Sequence, residues 1–479
     1  MKRSPSKNGE GMVAEPSVAE YVVKNRLQAA DEAIHGWYRF VLGYPPHLVR
    51  EYLQLLDAQP DRDWVLDPFC GTATTPLEAK LRGYATLSCD ANPISVLAAR
   101  VKLNWDVALD QVEAGMEEVV QFAAGCLRSV GMEPFPEGNS QLSLFGPACP
   151  SPCGADSRAE RFIPGELLPA EASSLIPQDF ISRKPLLRVL ALRCGIETLL
   201  PEGDVRDFMR LGLANTIVST AGNVGFGPEV YRLPPKEDAD VLGAFAGTVS
   251  GMVADLRAVL CEQARPFPEA VVFQDDARSL AALDACPPIG VVITSPPYPN
   301  EKDYTRSTRL ESVLLGFLSG KSGLRAVKSR LLRSNTRNVF AGDADDSFVA
   351  DLPSVVHVAD EIEATRLKLG KTSGFERQYH RVARLYFGGM YRHLSALLPR
   401  LRPGARCAYV VGDQMSFFRV HIRTAHLLAD VAAKAGFRVE GIELWRTRRS
   451  TTTGLDLEEN VLILRRPTTG GGPHGPQRW

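Results

Sequence analysis

The chain has 479 residues, 23% of them charged and 44% hydrophobic, with a net charge of −1. That length exceeds one small domain and implies two structural units, or one unit carrying a large insertion. The charge balance excludes a globally basic nucleic-acid binder, so any basic footprint has to be local. Nine cysteines without framework spacing suit a reducing compartment rather than a disulfide scaffold. The stretch MKRSPSKNGEG carries positive charge with no apolar run behind it, so no signal peptide is expected. No run approaches the ~18 apolar residues of a membrane span. A soluble, cytoplasmic protein with no membrane partner is the expectation.

Residues 1–18 are polar and turn-rich, a composition that predicts disorder. From Ala19 to about Ala58 the pattern is helical, interrupted by HGWYRFVLGYPP at 35–46. WVLD (64–67) reads as a short apolar strand and PFCGTATT (68–75) as a small-residue turn. PLEAKLRG (76–83) reads as a helix opened by proline and closed by glycine. YATLSCD (84–90) is a second strand ending in an acid, with a helix from Pro93 to about Asn104. This order over 19–106 is the grammar of a nucleotide-binding half sheet.

Residues 107–268 break that rhythm. They hold a Pro/Gly/Ser-rich stretch at 131–157 and two segments of helical spacing, PLLRVLALRCGIETLL (185–200) and VRDFMRLGLANTIVST (205–220). GNVGFGPEVYRLPP (222–235) reads as an irregular loop. Strands and helices resume over 269–466. They are AVVFQDD (270–276), VVITSPPY (291–298), a helix at 376–400, GARCAYVVGD (404–413), a helix at 420–435, FRVEGIELW (437–445) and ENVLILRR (459–466). Residues 467–479 have the composition of a flexible tail. The predicted fold is α/β: a Rossmann-like, mainly parallel sheet of about seven strands with helices on both faces. The 107–268 insertion falls between its second and third strands.

Chemistry-bearing residues cluster at predicted strand ends. Asp67 closes the first strand, and the Phe69-to-Thr75 loop, which includes Gly71 and Thr72, turns over a helix N-terminus. Unpaired N–H groups there favour a carboxylate or phosphate. Asp90, 23 positions later, stands where a ribose-binding acid sits in such half sheets. Asp275 and Asp276 after the third strand are suited to an adenine amine. In order, these favour a nucleoside cofactor. The fourth strand runs into Ser295-Pro296-Pro297-Tyr298, where two prolines fix φ and stop the ladder. That turn holds a hydroxyl and the Pro296 carbonyl as rigid acceptors beside an aromatic face. An exocyclic amine on a nucleobase is a poor nucleophile because its lone pair is delocalised. Two acceptors aimed at its hydrogens favour the pyramidal, reactive form.

DPFCGTATT (67–75) together with TSPPY (294–298) resembles the amino-methyltransferases that act on exocyclic amines of DNA with S-adenosylmethionine. The resemblance implies the seven-stranded methyltransferase sheet and a permuted motif order, with the cofactor loop first. It places Asp67, Phe69 and Gly71 at the methionine end, Asp90 on the ribose and Asp276 on the adenine. Ser295, Pro296 and Tyr298 would hold the target base, and His35 lies in a segment similar to the family's N-terminal cofactor contact. The serine form of the turn is commoner in enzymes that make N4-methylcytosine, and the aspartate form in those that make N6-methyladenine. Ala73 departs from the pattern, standing where a second loop glycine is usual. Implied with this are DNA as substrate with the target base flipped out, and a restriction or defence partner. The insertion is the candidate target-recognition region. An RNA enzyme of the same chemistry and a catalytically idle nucleic-acid binder are the alternatives.

Local positive charge supports a DNA track. Arg306 and Arg309 follow the proline turn, Arg330 and Arg333 lie in RAVKSRLLRSNTR (325–337), and Arg446, Arg448 and Arg449 lie in WRTRRSTTTG (445–454). Cys149 and Cys153 sit in a low-complexity stretch with no partner pair, so no metal site is expected.

Overall fold

The structure is a computed structural model that describes residues 27–28, 31–38, 43–136, 162–227, 229–263, 265–300, 302–449 and 454–468. The predicted disordered segment 1–18, Cys149, Cys153 and residues 469–479 of the predicted tail lie outside the described residues.

Seven strands form one sheet in the order β5-β2-β1-β6-β7-β9-β8. They are β1 (Trp64–Asp67), β2 (Thr86–Asp90), β5 (Ala270–Gln274), β6 (Ile289–Thr294), β7 (Leu401–Gly412), β8 (Arg438–Arg449) and β9 (Asp456–Arg465). The first five run parallel, and β9 pairs antiparallel with both β7 and β8. All seven predicted strands are present, with ends shifted by a few residues. Chain order reverses at β1, which lies between β2 and β6, so the crevice outside their carboxyl ends is where such sheets bind ligands.

Period-2 alternation divides the sheet between two apolar layers. Val65, Val291, Ile293, Ala408, Val410 and Ile463 face the helix Pro46–Leu55, which contributes Leu48, Val49, Tyr52 and Leu53. Leu66, Val292, Cys407, Tyr409, Val411 and Leu462 face the opposite layer, built from helices Pro353–Lys368, Tyr379–Leu397 and Thr424–Lys434. Strands apolar on both faces are what a sheet covered by helices on each side requires.

Residues 107–268 follow β2 and its helix Pro93–Leu103 and precede β5. Helices Leu109–Ser129, Arg183–Leu199, Asp204–Thr216 and Val241–Glu262 share one core with Ile94, Leu97, Val101 and Trp105. The helix Val241–Glu262 corrects the expectation that no run suits a membrane span: its 22 residues hold an 18-residue window of mean hydropathy 1.4, long and apolar enough by composition. In the structure Phe245, Val249 and Met252 are buried against the other helices, and Asp255 accepts from Trp37 Nε1 at 2.9 Å. A second correction concerns the predicted irregular loop at 222–235. It contains a hairpin, β3 (Val224–Phe226) with β4 (Val230–Arg232). Strands this short give no periodic signal. What anchors them is Asn223, whose Nδ2 donates to Asp179 O at 3.1 Å and to Ser182 Oγ at 3.0 Å.

Candidate active site

The loop after β1 is held by two carboxylates, the buried Asp67 and the half-buried Asp90. Asp67, 1% exposed, accepts from Thr294 Oγ1 at 2.6 Å, from Tyr44 OH at 2.9 Å and from the Phe69 N–H at 3.1 Å. One side chain thus joins the ends of β1 and β6 to the N-terminal segment. Gly71 has φ +48°, a left-handed conformation that glycine adopts without penalty. Its N–H donates to Asp90 Oδ2 at 3.0 Å, while the Asn92 N–H donates to Asp90 Oδ1 at 2.8 Å. Burial pushes both carboxyls up, each to about 6, and these hydrogen bonds pull back toward the charged form.

Two buried side chains brace this loop from behind. Lys102 Nζ donates to the carbonyls of His35 (2.9 Å), Tyr38 (3.2 Å) and Thr72 (3.2 Å), and burial pulls its pKa down to about 7. The His393 ring lies 5.0 Å from that of Phe69, with Nδ1 against Ala277 O and Nε2 against the Tyr409 hydroxyl, both at 2.7 Å. Burial pulls His393 down to about 4, so its imidazole is neutral at physiological pH.

The turn after β6 faces the same edge. Ser295 Oγ stands 3.4 Å from Tyr298 OH, and the Tyr298 N–H points to Tyr304 OH at 3.4 Å. The Tyr298 ring lies on the end of β7: a Cβ at Gly412 would stand 3.1 Å from its Cε2, so a larger residue there would push the ring out of place. Burial raises the phenol well above its ordinary value, which keeps it neutral.

Loop and turn open onto one cavity of about 980 Å³, near the upper end for ligand pockets and large enough for a nucleoside together with a second base. Phe69, Gly71, Thr72, Asp90, Ser295, Pro296, Pro297 and Tyr298 line it, as do Arg330, Arg446, Arg448 and Arg449. Of these arginines, Arg446 and Arg448 pair with Glu459 (2.5 and 3.3 Å).

Several predicted residues lie elsewhere. Asp67 sits beneath the cavity rather than on its wall. His35 is away from it, its Nε2 bonded to the buried Glu78 at 3.0 Å; Gly43 and Tyr44 are what the same segment brings to the wall. Asp276 is engaged by Arg278 at 2.7 Å, and Ala277 lines the cavity in its place. Arg306 pairs with Glu229 at 3.3 Å, and Arg309 turns back onto Thr305 Oγ1 at 2.9 Å. Arg333 is 3% exposed and paired with Asp343 at 2.9 Å. Each of these three cations is thus claimed by a carboxylate or hydroxyl, a neighbour four positions back for Arg309 and a more distant acid for Arg306 and Arg333.

The sequence reading missed Tyr44, Lys102, His393, Asn338 and the wall segment 414–419. The Tyr-Pro-Pro within the 35–46 segment was a usable signal for Tyr44. Nothing local flags Phe418 and Arg419, two consecutive non-glycine residues at φ +54° and +62°. Strain of this kind gathers at functional sites. Phe418 stands 5.1 Å from Tyr379, another wall residue. Among the described residues no cluster of His, Cys, Asp or Glu suited to a metal is present.

No protein-family model matches the chain. It is 24% identical over 310 residues to the type II methyltransferase M.BsoBI of Geobacillus stearothermophilus, 60% of this chain and 53% of that protein. The chain therefore spans about half the length of that curated relative. Among solved structures, TrmN from Thermus thermophilus aligns with 91% of this chain and 52% of its own, at 12% identity; its TM-score of 0.28 carries no argument. The sequence likeness supports the methyltransferase resemblance and leaves base and nucleic acid open. With its seven-stranded, mostly parallel sheet and its cavity at the switch point, the chain is a distant relative of a type II methyltransferase.

Proposed function

We propose that this protein is a site-specific DNA methyltransferase of the cytoplasm. It would move a methyl group from S-adenosylmethionine to an exocyclic amine, cytosine N4 in the first place and adenine N6 as the alternative. A restriction or defence enzyme is the partner this activity implies, and residues 107–268, whose Gly227 lines the cavity, are the proposed target-recognition region. One observation carries the reading: the loop held by Asp90 and the turn Ser295–Tyr298 meet in a single cavity that has arginines on its wall.

The residues fit such a cofactor. The backbone around Gly71 leaves close approach open, and Asp90 keeps lone pairs for ribose hydroxyls after accepting the Gly71 and Asn92 N–H groups. S-adenosylmethionine supplies an electrophilic methyl group when bound. The chain itself presents Ser295 Oγ and the Pro296 carbonyl as acceptors for the two amine hydrogens, which frees the nitrogen lone pair for in-line attack. Tyr298 stacks the extruded base. Neither a covalent enzyme intermediate nor a metal is required.

Mass spectrometry of nucleosides from the DNA of a methylation-deficient host expressing the protein tests this. N4-methylcytosine is the expected mark. N6-methyladenine would keep the mechanism and overturn the serine argument. Neither mark from well-expressed protein would sink the DNA assignment and move the search to RNA substrates and an idle fold.

A further inference from the structure

Asn338 lies on the wall of the cavity with 0% exposure. Its side-chain Nδ2 and Oδ1 are both buried, and neither has a hydrogen-bond partner among the described residues. An orphaned amide is costly twice over, since a donor and an acceptor both lose solvent and gain nothing, and native interiors avoid such groups. A half-turn of this side chain toward the cavity would offer an acceptor and a donor side by side.

The segment that carries it is fastened to both parts of the site. Arg278, which holds Asp276, also donates to Ser329 O at 2.7 Å; Leu331 and Leu332 then line the cavity together with Ala277. Further on, the Asn300 N–H donates to Ser334 O at 3.2 Å, and Asn335 Nδ2 donates to Lys302 O at 2.8 Å. Asn338 closes the short turn that follows, its N–H on Asn335 O.

We infer that Asn338 reads the adenine of the cofactor, its Oδ1 accepting from the exocyclic amine and its Nδ2 donating to the adjacent ring nitrogen. The acid placed there by sequence, Asp276, is occupied by Arg278 and lies off the wall, so the adenine edge lacks that partner. The target base presents a similar edge, but both hydrogens of its amine go to Ser295 and Pro296 during transfer. That leaves the cofactor as the better match. The inference rests on the function proposed above.

The test is calorimetric binding of S-adenosylhomocysteine, thermal unfolding of the free protein, and the KM for DNA, in wild type, Asn338→Leu and Asn338→Asp. Leucine has nearly the amide's shape without its orphaned atoms, so it is expected to leave Tm unchanged or higher while weakening S-adenosylhomocysteine on the order of 10- to 100-fold. Aspartate keeps the acceptor, loses the donor and should weaken binding comparably. Normal S-adenosylhomocysteine affinity with a raised KM for DNA would move Asn338 to the target base and overturn the adenine assignment. A lower Tm or failure to fold in Asn338→Leu with unaltered affinity in Asn338→Asp would make the residue structural. Active wild type with both variants unchanged would overturn this inference alone, whereas wild type that binds no S-adenosylhomocysteine would overturn the proposed function.

Discussion

At the loop end of the cavity nearly every polar group already has a partner. Asp67 takes three hydrogen bonds, Asp90 takes two from backbone N–H groups, and Lys102 gives three to carbonyls. Elsewhere on the wall, Arg330, Arg419 and Arg449 are exposed, and their side chains make no hydrogen bond or ion pair to another described residue. The contrast follows from the two tasks proposed for the cavity. A cofactor of fixed shape is best met by a rigid backbone cradle, because preorganisation lowers the entropy lost on binding. A polyanion of variable sequence is met by long cations left free to find phosphates.

The largest effects should come from the parts that would hold reacting groups. Ser295→Ala is expected to cut turnover by roughly 10²–10³-fold with S-adenosylmethionine affinity kept, read by single-turnover methylation beside calorimetry. Unchanged methylation would remove the serine from the mechanism. Asp90→Ala should do the reverse, weakening the cofactor on the order of 100-fold because the ribose loses its acceptor and the Gly71 N–H loses its anchor. An intact affinity would detach the loop from cofactor binding.

The same carboxylate makes the loop end pH-sensitive. The folded Asp90 titrates near 6, above its usual range, so the folded protein holds this proton more tightly than the unfolded chain does. The contribution of Asp90 to stability therefore rises as pH falls through 6 toward 4, while the acceptor strength proposed for it toward ribose hydroxyls weakens. Cofactor affinity is expected to be flat above about pH 7 and to fall up to tenfold per unit well below 6. Asp90→Asn should flatten that profile; an identical profile in the variant would place the titration on another group.

The arginines without a side-chain partner among the described residues predict a smaller and differently shaped effect. Alanine at Arg330, Arg419 or Arg449 should weaken DNA of every sequence alike, lower the slope of log K against log salt by up to about 1, and leave cofactor affinity untouched. An unchanged salt slope would take that residue off the DNA track. Smallest of all is Ala73, buried at φ +74° before the helix Thr74–Leu81. Glycine there relieves about 1 kcal/mol of left-handed strain but gives up a buried methyl worth about 0.8 kcal/mol. Chemical denaturation of Ala73→Gly should show a net change of a few tenths of a kcal/mol, and a shift beyond about 1.5 kcal/mol would mean that the loop had rearranged.

Read from sequence alone, the seven strands, their helical cover, the place of the insertion, and both motifs were legible. Apolar alternation, proline punctuation and small-residue turns are local signals, carried by neighbours in the chain. The sequence by itself therefore determined that Gly71, Asp90 and Ser295–Tyr298 would stand at strand ends on one edge. Only the tertiary structure decided which other side chains join them. Thr294 meets Asp67 across 227 positions, and Arg333 is drawn to Asp343 and away from the cavity. Tyr44 takes the place expected of His35, which is held by Glu78, 43 positions on. Hydrogen-bond partners and buried charges are settled by whichever groups the packed core brings within about 3 Å, and no periodicity in the chain encodes that.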